Sequence, residues 1–244
     1  RERHMKVKLA VLPAALVLAL GAGSAVADSD PLEPINRGFF VFNEQVDKYL
    51  AKPAAQVYEQ VTPRPVSTAI TDFFHNLAAP ITIINLYLQW QPHDATTQLA
   101  RFMFNSTFGV GGIVDVGTPM GLPRQKTDLG ITLGKYGVGP GPYLMLPLLG
   151  PSSLRDFPAK VADEYADPRL YMQAEVAYPL VAIDLLDTRA RLLPLEQSII
   201  GDRYTFIRNA YLQQRAFAIS GGVIENDSFL DDSLELDEQN QGSF

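Results

Sequence analysis

The segment ITIINLYLQW, residues 81–90, decides the fold. It is apolar nearly all round, and as a helix of about ten residues it would be about 15 Å long. The hydrocarbon core of a bilayer is about 30 Å thick, so such a helix cannot cross it. Two interpretations remain open. The segment is a helix buried in a protein core, or it lies within one leaflet with Trp90 at the polar boundary, where tryptophan is enriched.

Apolar residues recur at helical spacing on both sides of this segment. Upstream, a stripe between Asn36 and Ala51 consists of Phe39, Phe42, Val46, Tyr49 and Leu50. A second stripe lies within residues 69–78, and we expect Pro80 to stop its helix. Downstream, Asp94 is typical of a helix N-cap. The helix that it starts would carry one apolar face, formed by Ala95, Leu99, Phe102, Met103 and Phe108.

A long irregular insertion follows these helices. Residues 109–158 are dense in glycine and proline and include GKYGVGPGPYLMLPLLGPSSLRD, residues 134–156. The Gly-Lys pair does not indicate a nucleotide site, because Tyr136 stands where a phosphate loop needs Ser or Thr. Helical patterns return after Ser152 and Ser153, which are typical of a helix cap. The sequence therefore predicts an all-α protein with one long irregular insertion.

The chain divides into three parts. Residues 1–27 end in KVKLAVLPAALVLALGAGSAVA, which has the basic start, apolar middle and small-residue end of a signal peptide. Residues 28–222 form the predicted helical domain. Residues 223–244 are strongly acidic and are predicted to form a disordered tail.

Charge and cysteine content exclude several classes of function. The net charge is −7 and no basic stripe occurs, so nucleic acid is not an expected partner. The sequence has no cysteine, which removes disulfides, zinc–thiolate sites and cysteine nucleophiles.

Residues that could carry catalysis are few. Of the three histidines, His75 and His93 are interpreted as exposed or capping residues, and His4 precedes the signal peptide. Neither a G-x-S-x-G elbow nor an H-E-x-x-H helix occurs. We therefore predict no catalytic residue, no metal site and no cofactor. A periplasmic hydrolase that uses His75 or His93 remains the enzymatic alternative.

Several motifs resemble one known family. They are DPLEPINRGFFVFNEQVDKY (30–49), NLAAPITIINLYLQW (76–90), ARFMFNSTFGVGGIVDVG (100–117), LGITLGKYGVGPGPYLMLPLLGPSSLRD (129–156), DTRARLLP (187–194) and YTFIRNAYLQQRAF (204–217). In this order they are similar to the MlaA family, also called VacJ.

The resemblance implies a non-enzymatic component of a lipid-asymmetry system on the periplasmic side of the outer membrane. Members form a ring of short amphipathic helices in the inner leaflet, around a central channel that withdraws phospholipid from the outer leaflet. A trimeric outer-membrane porin holds the ring, and a soluble periplasmic carrier accepts the lipid. The alternative is a soluble periplasmic lipid-binding or scaffold protein.

The resemblance also implies a set of site residues. Phe42, Asn43 and Asp47 belong to the first ring helix, and the run from Tyr136 to Pro147 belongs to the channel. A phospholipid needs a polar stripe beside an apolar one. Candidates for the polar stripe are Asp115, Lys135 and Tyr136, and candidates for the apolar stripe are Val138, Leu144, Met145 and Leu146. Packing within the ring wall is the alternative role for each.

One feature departs from the family pattern. Members are mostly lipoproteins that carry a lipidated cysteine at the cleavage site, and Gly23 stands at that position here. A single acyl chain gives only marginal membrane binding in any case. We therefore expect the apolar belt of the ring, rather than a lipid anchor, to keep the domain in the membrane.

Overall fold

The computed structural model describes residues 30–199 and 201–221. The predicted signal peptide and acidic tail lie outside the described residues. Within them the fold is helical, as expected. The α-helices are α1 (Glu33–Val46), α2 (Lys52–Val61), α3 (Arg64–Leu77), α4 (Ala79–Leu88), α5 (Pro92–Thr107), α6 (Leu129–Lys135), α7 (Asp156–Asp163), α8 (Ala174–Leu192) and α9 (Arg203–Ile219). Short 3₁₀ turns occupy Glu164–Ala166, Pro168–Tyr171 and Leu193–Ser198.

The first predicted helix continues further than expected. A wider π turn, Asp47–Ala51, joins α1 directly to α2. Pro53 lies in the first turn of α2. A proline has no N–H to donate, and its ring crowds the carbonyl four residues earlier. The π turn just before it accommodates that proline without ending the helix.

Prolines begin helices here where the sequence suggested other boundaries. Pro80 was expected to stop a helix, but it occupies the first turn of α4, which follows α3 after Ala78 alone. The prediction that Asp94 is an N-cap is wrong. Helix α5 begins at Pro92, which places Asp94 within the first turn. Proline is favoured in the first turn because its missing N–H would have no helical partner there.

The predicted irregular insertion contains a β-hairpin. Strand β1 (Tyr143–Leu146) pairs antiparallel with β2 (Gly150–Ser153). At the turn, Leu148 has φ of 62°, a strained value for a residue with a side chain. Ser152 and Ser153, predicted to cap the following helix, belong to β2, and the N-cap residue of α7 is Arg155. The Ser153 hydroxyl nevertheless accepts a hydrogen bond from the Asp156 N–H, at the start of that helix.

Two asparagines of α1 attach the hairpin to that helix. Asn36 donates to the carbonyl of Tyr143 at 2.9 Å and accepts from the Met145 N–H at 2.9 Å. At the turn, Asn43 donates to the carbonyl of Leu146 at 2.9 Å and accepts from the Leu148 N–H at 2.8 Å. Each amide side chain therefore satisfies a backbone donor and a backbone acceptor of the hairpin.

Burial is inverted relative to an ordinary soluble domain. In α5 the buried side chains include Gln98, Arg101 and Asn105, whereas Leu99 and Met103 are exposed. Of the apolar face predicted for this helix, only Ala95 is buried. Across the described residues, buried polar side chains outnumber buried apolar ones. A compact apolar cluster is formed by Phe40, Tyr143, Met145 and Tyr204. None of the described helices is long and apolar enough to cross a membrane.

Helix α9 docks onto α6 and α7 through a buried ionic network. Arg215 donates to both oxygens of Asp128, at 2.6 and 2.8 Å, and forms an ion pair with Asp156 at 3.0 Å. Tyr211 donates to the same Asp156 at 2.6 Å. Gly130 lies directly against these groups.

A methyl group at Gly130 should disturb this network. Its Cβ would lie 2.4 Å from an Arg215 nitrogen and 2.5 Å from an Asp156 oxygen. We expect Gly130→Ala to lower the free energy of unfolding by about 1–3 kcal/mol, measured by chemical denaturation in detergent. Gly38→Ala is the control, because nothing lies within 4 Å of that site in α1. It should leave stability equal or higher, since alanine favours helices. Equal effects of both variants would contradict the prediction.

Candidate functional site

Two cavities among the described helices combine charged and apolar lining. The first has a volume of about 430 Å³ and is called the cationic cavity. Its lining includes five basic side chains, Arg101, Arg124, Lys126, Arg169 and Arg191, and two acidic ones, Asp72 and Asp184. Apolar side chains also reach it, among them Phe74, Ile81 and Phe102. The same cavity therefore offers charge and apolar surface to a ligand.

A network centred on Asp115 lies behind one wall of the cationic cavity and includes three residues of its lining, Asp72, Arg101 and Arg124. Arg101, which is almost fully buried, donates to both Asp115 oxygens at 2.8 and 2.9 Å. Arg124 joins this carboxylate, at 2.8 Å, to Asp72 of α3, at 2.6 Å. Two arginines and two carboxylates thus connect α3, α5 and the loop after α5.

The environment of Asp115 favours its ionised form. Burial opposes ionisation, but hydrogen bonds from Thr118 and Arg101 outweigh it and hold the pKa well below the ordinary value. The folded chain therefore binds a proton here less readily than the unfolded chain. The stability that this group contributes is present above the unfolded pKa of 3.8 and is lost as pH falls toward the folded value.

The network should make Asp115→Asn a pH-dependent variant. At pH 7 we expect a loss of about 1.5–3 kcal/mol in the free energy of unfolding, because charged hydrogen bonds are weakened. In thermal denaturation, the difference in stability between the variant and wild type should become smaller below about pH 4. Glu59→Gln, at an exposed position of α2, should show no such narrowing. A gap for Asp115→Asn that stays constant with pH would show that the charge of this carboxyl does not matter.

His75 lies in the cationic cavity, whereas the sequence suggested an exposed or capping residue. Burial, followed by the charges of Arg124, Lys126 and Arg191, lowers its pKa. The ring is therefore neutral at pH 7, and its Nδ1 accepts a hydrogen bond from Arg124. The hydrogen-bond partner of His75 is thus a guanidinium, and not a hydroxyl group that could act as the nucleophile of a hydrolase. No cluster of three or more metal-ligating side chains occurs in the described part of the chain.

Asp187 of α8 holds the helices beside the cationic cavity. It is 1% exposed and accepts hydrogen bonds from Tyr58 at 3.0 Å and from Thr71 at 2.8 Å. Arg191 forms an ion pair with it at 3.1 Å. Burial and this carboxylate raise the pKa of Tyr58 to about 12, so the phenol stays a donor. One carboxylate therefore joins α2, α3 and α8.

The second cavity lies beside the β-hairpin and is called the hairpin cavity. Its volume is about 830 Å³, and Phe40, Met145 and Ile207 are among its apolar lining residues. Charged groups stand in the same lining. Arg189 binds both oxygens of Asp47, at 2.6 and 2.7 Å, and also binds Glu196.

The structure distributes the ten predicted site residues over several places. Asn43, Asp47 and Met145 line the hairpin cavity. Phe42 lies on an outer groove with Pro147.

The other predicted residues lie apart from the hairpin cavity. Asp115 contacts the cationic cavity through its two arginines. Lys135 and Tyr136, at the end of α6, bind to residues at the end of α4. Lys135 donates to Gln89, and Tyr136 donates to the Leu88 carbonyl. The half-buried residues Val138, Leu144 and Leu146 appear in neither lining.

The basic residues of the cationic cavity were not predicted. They come from α5, from the loop before α6, from the 3₁₀ turn Pro168–Tyr171 and from α8. These segments are far apart along the chain and share no spacing motif. The polar face of α5, which carries Gln98 and Arg101, was the one local signal, because it lies opposite the apolar stripe.

The family model described as "MlaA lipoprotein" matches residues 28–218. The "Intermembrane phospholipid transport system lipoprotein MlaA" of Escherichia coli (strain K12) is 34% identical over 233 residues, which is 91% of this chain and 92% of that protein. The protein with the same description from Haemophilus influenzae (strain ATCC 51907 / DSM 11121 / KW20 / Rd) is 29% identical over 214 residues, covering 84% of this chain and 86% of that protein.

A solved structure agrees with these sequence matches. It is described as "Structural basis for maintenance of bacterial outer membrane lipid asymmetry", and it aligns with a TM-score of 0.71 at 34% identity. The alignment covers 78% of this chain and 99% of that one. Sequence and fold together show that this chain belongs to the MlaA lipoprotein family.

Proposed function

We propose that this chain moves phospholipid at the outer membrane without chemical conversion, and that it withdraws misplaced phospholipid from the outer leaflet to maintain lipid asymmetry. Relatives are named for intermembrane phospholipid transport, which supports phospholipid as the class of substrate. The description of the solved relative names outer-membrane lipid asymmetry, which supports the outer membrane as the place of action.

The inverted burial carries this proposal. Large apolar side chains such as Phe108, Val110 and Leu148 are 68–73% exposed, whereas Arg101 and Asn105 are buried. Exposure of apolar surface to water is energetically unfavourable. Large apolar patches on a folded protein therefore mark sites of interaction with other proteins or with a membrane. A surrounding layer of acyl chains would remove that penalty. The charged interior would then remain as a path for the headgroup.

Within this proposal the helices lie in the inner leaflet, on the periplasmic side, around the cationic cavity. Short helices can lie in a membrane interface without spanning it. Irregular backbone at membrane depth is tolerated where protein buries it or where it lines a wet cavity, which fits the loops beside Arg124 and Asp115. An outer-membrane trimeric porin would hold the domain, and a soluble periplasmic carrier would accept the lipid.

A second candidate is a soluble periplasmic lipid-binding or scaffold protein. The hairpin cavity favours it, because a volume of about 830 Å³ with apolar walls could shelter an acyl chain away from a membrane. Cell fractionation separates the two candidates. The transport proposal expects the full chain in the outer-membrane fraction, and the second candidate expects it in the periplasmic fraction.

A transfer assay tests the transport proposal. The full chain is reconstituted in vesicles that contain a fluorescent phospholipid, and extraction of that lipid by serum albumin is followed over time. We expect faster extraction than from protein-free vesicles, with phospholipid and no lysophospholipid among the products. Extraction at the protein-free rate would overturn the proposal. A chain that also remains monodisperse in buffer without detergent or lipid would support the second candidate.

A further inference from the structure

The basic side chains of the cationic cavity are not equally committed to carboxylates. Arg101 is 5% exposed and bound to Asp115 on both oxygens, so it belongs to the wall. Three other cationic groups keep accessible surface at the cavity: Arg124 at 36%, Arg191 at 45%, and Lys126, which is also exposed. Within residues 30–199 and 201–221, Lys126 has no carboxylate partner.

These three cations line the same cavity as His75. Arg124 donates to the ring of His75, and all three charges act on that ring strongly enough to disfavour its protonation. Burial of the ring contributes first to this effect, and Asp72 opposes it. The side chain of His75 therefore lies in the same cavity as these cations, and Arg124 contacts its ring directly.

The carboxylates of the lining are already engaged. Asp72 accepts from Arg124 at 2.6 Å, and Asp184 accepts from Arg169 at 2.7 Å. Three carboxylates outside the lining also bind its arginines. Asp115 binds Arg124, Asp167 binds Arg169 at 2.6 Å, and Asp187 binds Arg191 at 3.1 Å. Both lining carboxylates are therefore paired with arginine, whereas Lys126 of the same lining has no carboxylate partner among the described residues. This arrangement favours an anion over a cation.

The geometry points to a phosphate-ester site in the cationic cavity, with Lys126 as its unpaired cation and with Arg124 and Arg191 as further donors. Arginine and lysine are the usual partners of phosphate oxygens. Phe74 and Ile81 in the same lining would contact the apolar part of the ester. The cavity volume of about 430 Å³ is within the range of small-ligand sites. This inference rests on the proposed transport of phospholipid and names the group of the lipid that is recognised.

The recognised group is the phosphate rather than the alcohol attached to it. An ammonium headgroup would need a free carboxylate, and both lining carboxylates are bound to arginine. We therefore expect phospholipids with neutral and with ammonium headgroups to bind with similar affinity. Diacylglycerol, which has no phosphate, should bind weakly.

Lys126→Gln tests the site with little risk to folding, because the side chain is exposed. Binding to the full chain in an uncharged detergent is measured by calorimetry, with dihexanoylphosphatidylglycerol, dihexanoylglycerol and inorganic phosphate as probes. We expect Lys126→Gln to weaken binding of the phospholipid roughly tenfold, because a charged hydrogen bond is lost. Binding of dihexanoylglycerol should not change. Lys126→Arg should restore most of the affinity, and Lys160→Gln, at an exposed position of α7, should bind as wild type.

The probes distinguish the two sources of phosphate. Tight, Lys126-dependent binding of the phospholipid with weak binding of inorganic phosphate assigns the site to lipid. Equal, Lys126-dependent binding of both supports phosphate recognition and assigns the site to the free ion as well. Phospholipid affinity in Lys126→Gln within about twofold of wild type, less than the loss of one charged hydrogen bond, would overturn the inference.

Failure of this inference can be told from failure of the proposed function. If wild type accelerates lipid extraction from vesicles while Lys126→Gln binds phospholipid normally, the inference is wrong and transport stands. If wild type does not accelerate extraction but Lys126→Gln loses affinity, the phosphate site stands and transport is wrong.

Discussion

Asp187→Ala should lower the free energy of unfolding by about 3–5 kcal/mol, because it leaves buried partners without their carboxylate. The side chain is 1% exposed, and Tyr58, Thr71 and Arg191 all bind to it. These partners belong to three helices, so the loss should loosen the contacts of α2 and α3 with α8. Chemical denaturation in one fixed detergent would measure the change.

Two variants serve as comparisons for Asp187→Ala. Asp187→Asn keeps the shape of the side chain and should cost less, because its oxygen can still accept one hydrogen bond. Glu59→Ala removes an exposed carboxylate from α2 and should change stability by less than about 0.5 kcal/mol. A loss for Asp187→Ala as small as that for Glu59→Ala would mean that Asp187 does not hold these helices together.

Thr188→Trp should reduce phospholipid transfer to near the protein-free rate. Thr188 is exposed on α8 and lines the cationic cavity, where an indole would occupy much of the available volume. Because Thr188 is exposed, stability should stay within about 0.5 kcal/mol of wild type. The vesicle extraction assay measures the rate, and denaturation in detergent measures stability.

Thr96→Trp is the matched control for this obstruction. Thr96 is an exposed threonine on α5 that lines neither described cavity. It should transfer lipid as wild type. Normal transfer by Thr188→Trp would show that lipid does not pass through the cationic cavity, and equal loss in both variants would show a general effect of added tryptophan.

Periodicity predicted the helices but not the direction in which their faces point. The stripe of Leu99 and Met103 was correctly placed on one face of α5, yet that face is exposed and the face of Gln98 and Arg101 is buried. The spacing of apolar residues distinguishes the two sides of a helix, and the surrounding solvent decides which side is inside. The interpretation of residues 81–90 stayed open for the same reason.

Local signals also missed the β-hairpin. Its strands have four residues each, its turn contains Pro147, and β2 begins with Gly150 and Pro151. Part of its hydrogen bonding comes from Asn36 and Asn43 of α1, more than 100 residues away along the chain. No pattern within residues 109–158 could show partners that distant.

The candidate site was the least predictable part. Asp115 was identified, and the structure places it against the cationic cavity. Arg124 and Lys126 lie in a loop without periodicity, and their role depends on α3 and α8 folding against that loop. Such convergence is a property of tertiary packing, so a single sequence contains no spacing that reveals it.

Photocrosslinking from the cavity wall tests the central claim most directly. A benzophenone amino acid is placed at Thr188 or, as control, at Thr96, and the full chain in vesicles of phosphatidylethanolamine and phosphatidylglycerol is irradiated. Mass spectrometry of the peptides then locates phospholipid adducts. We predict abundant adducts that retain the phosphate at position 188, beyond those at position 96. Adducts at position 96 alone, or none at position 188, would contradict passage of phospholipid through the cationic cavity.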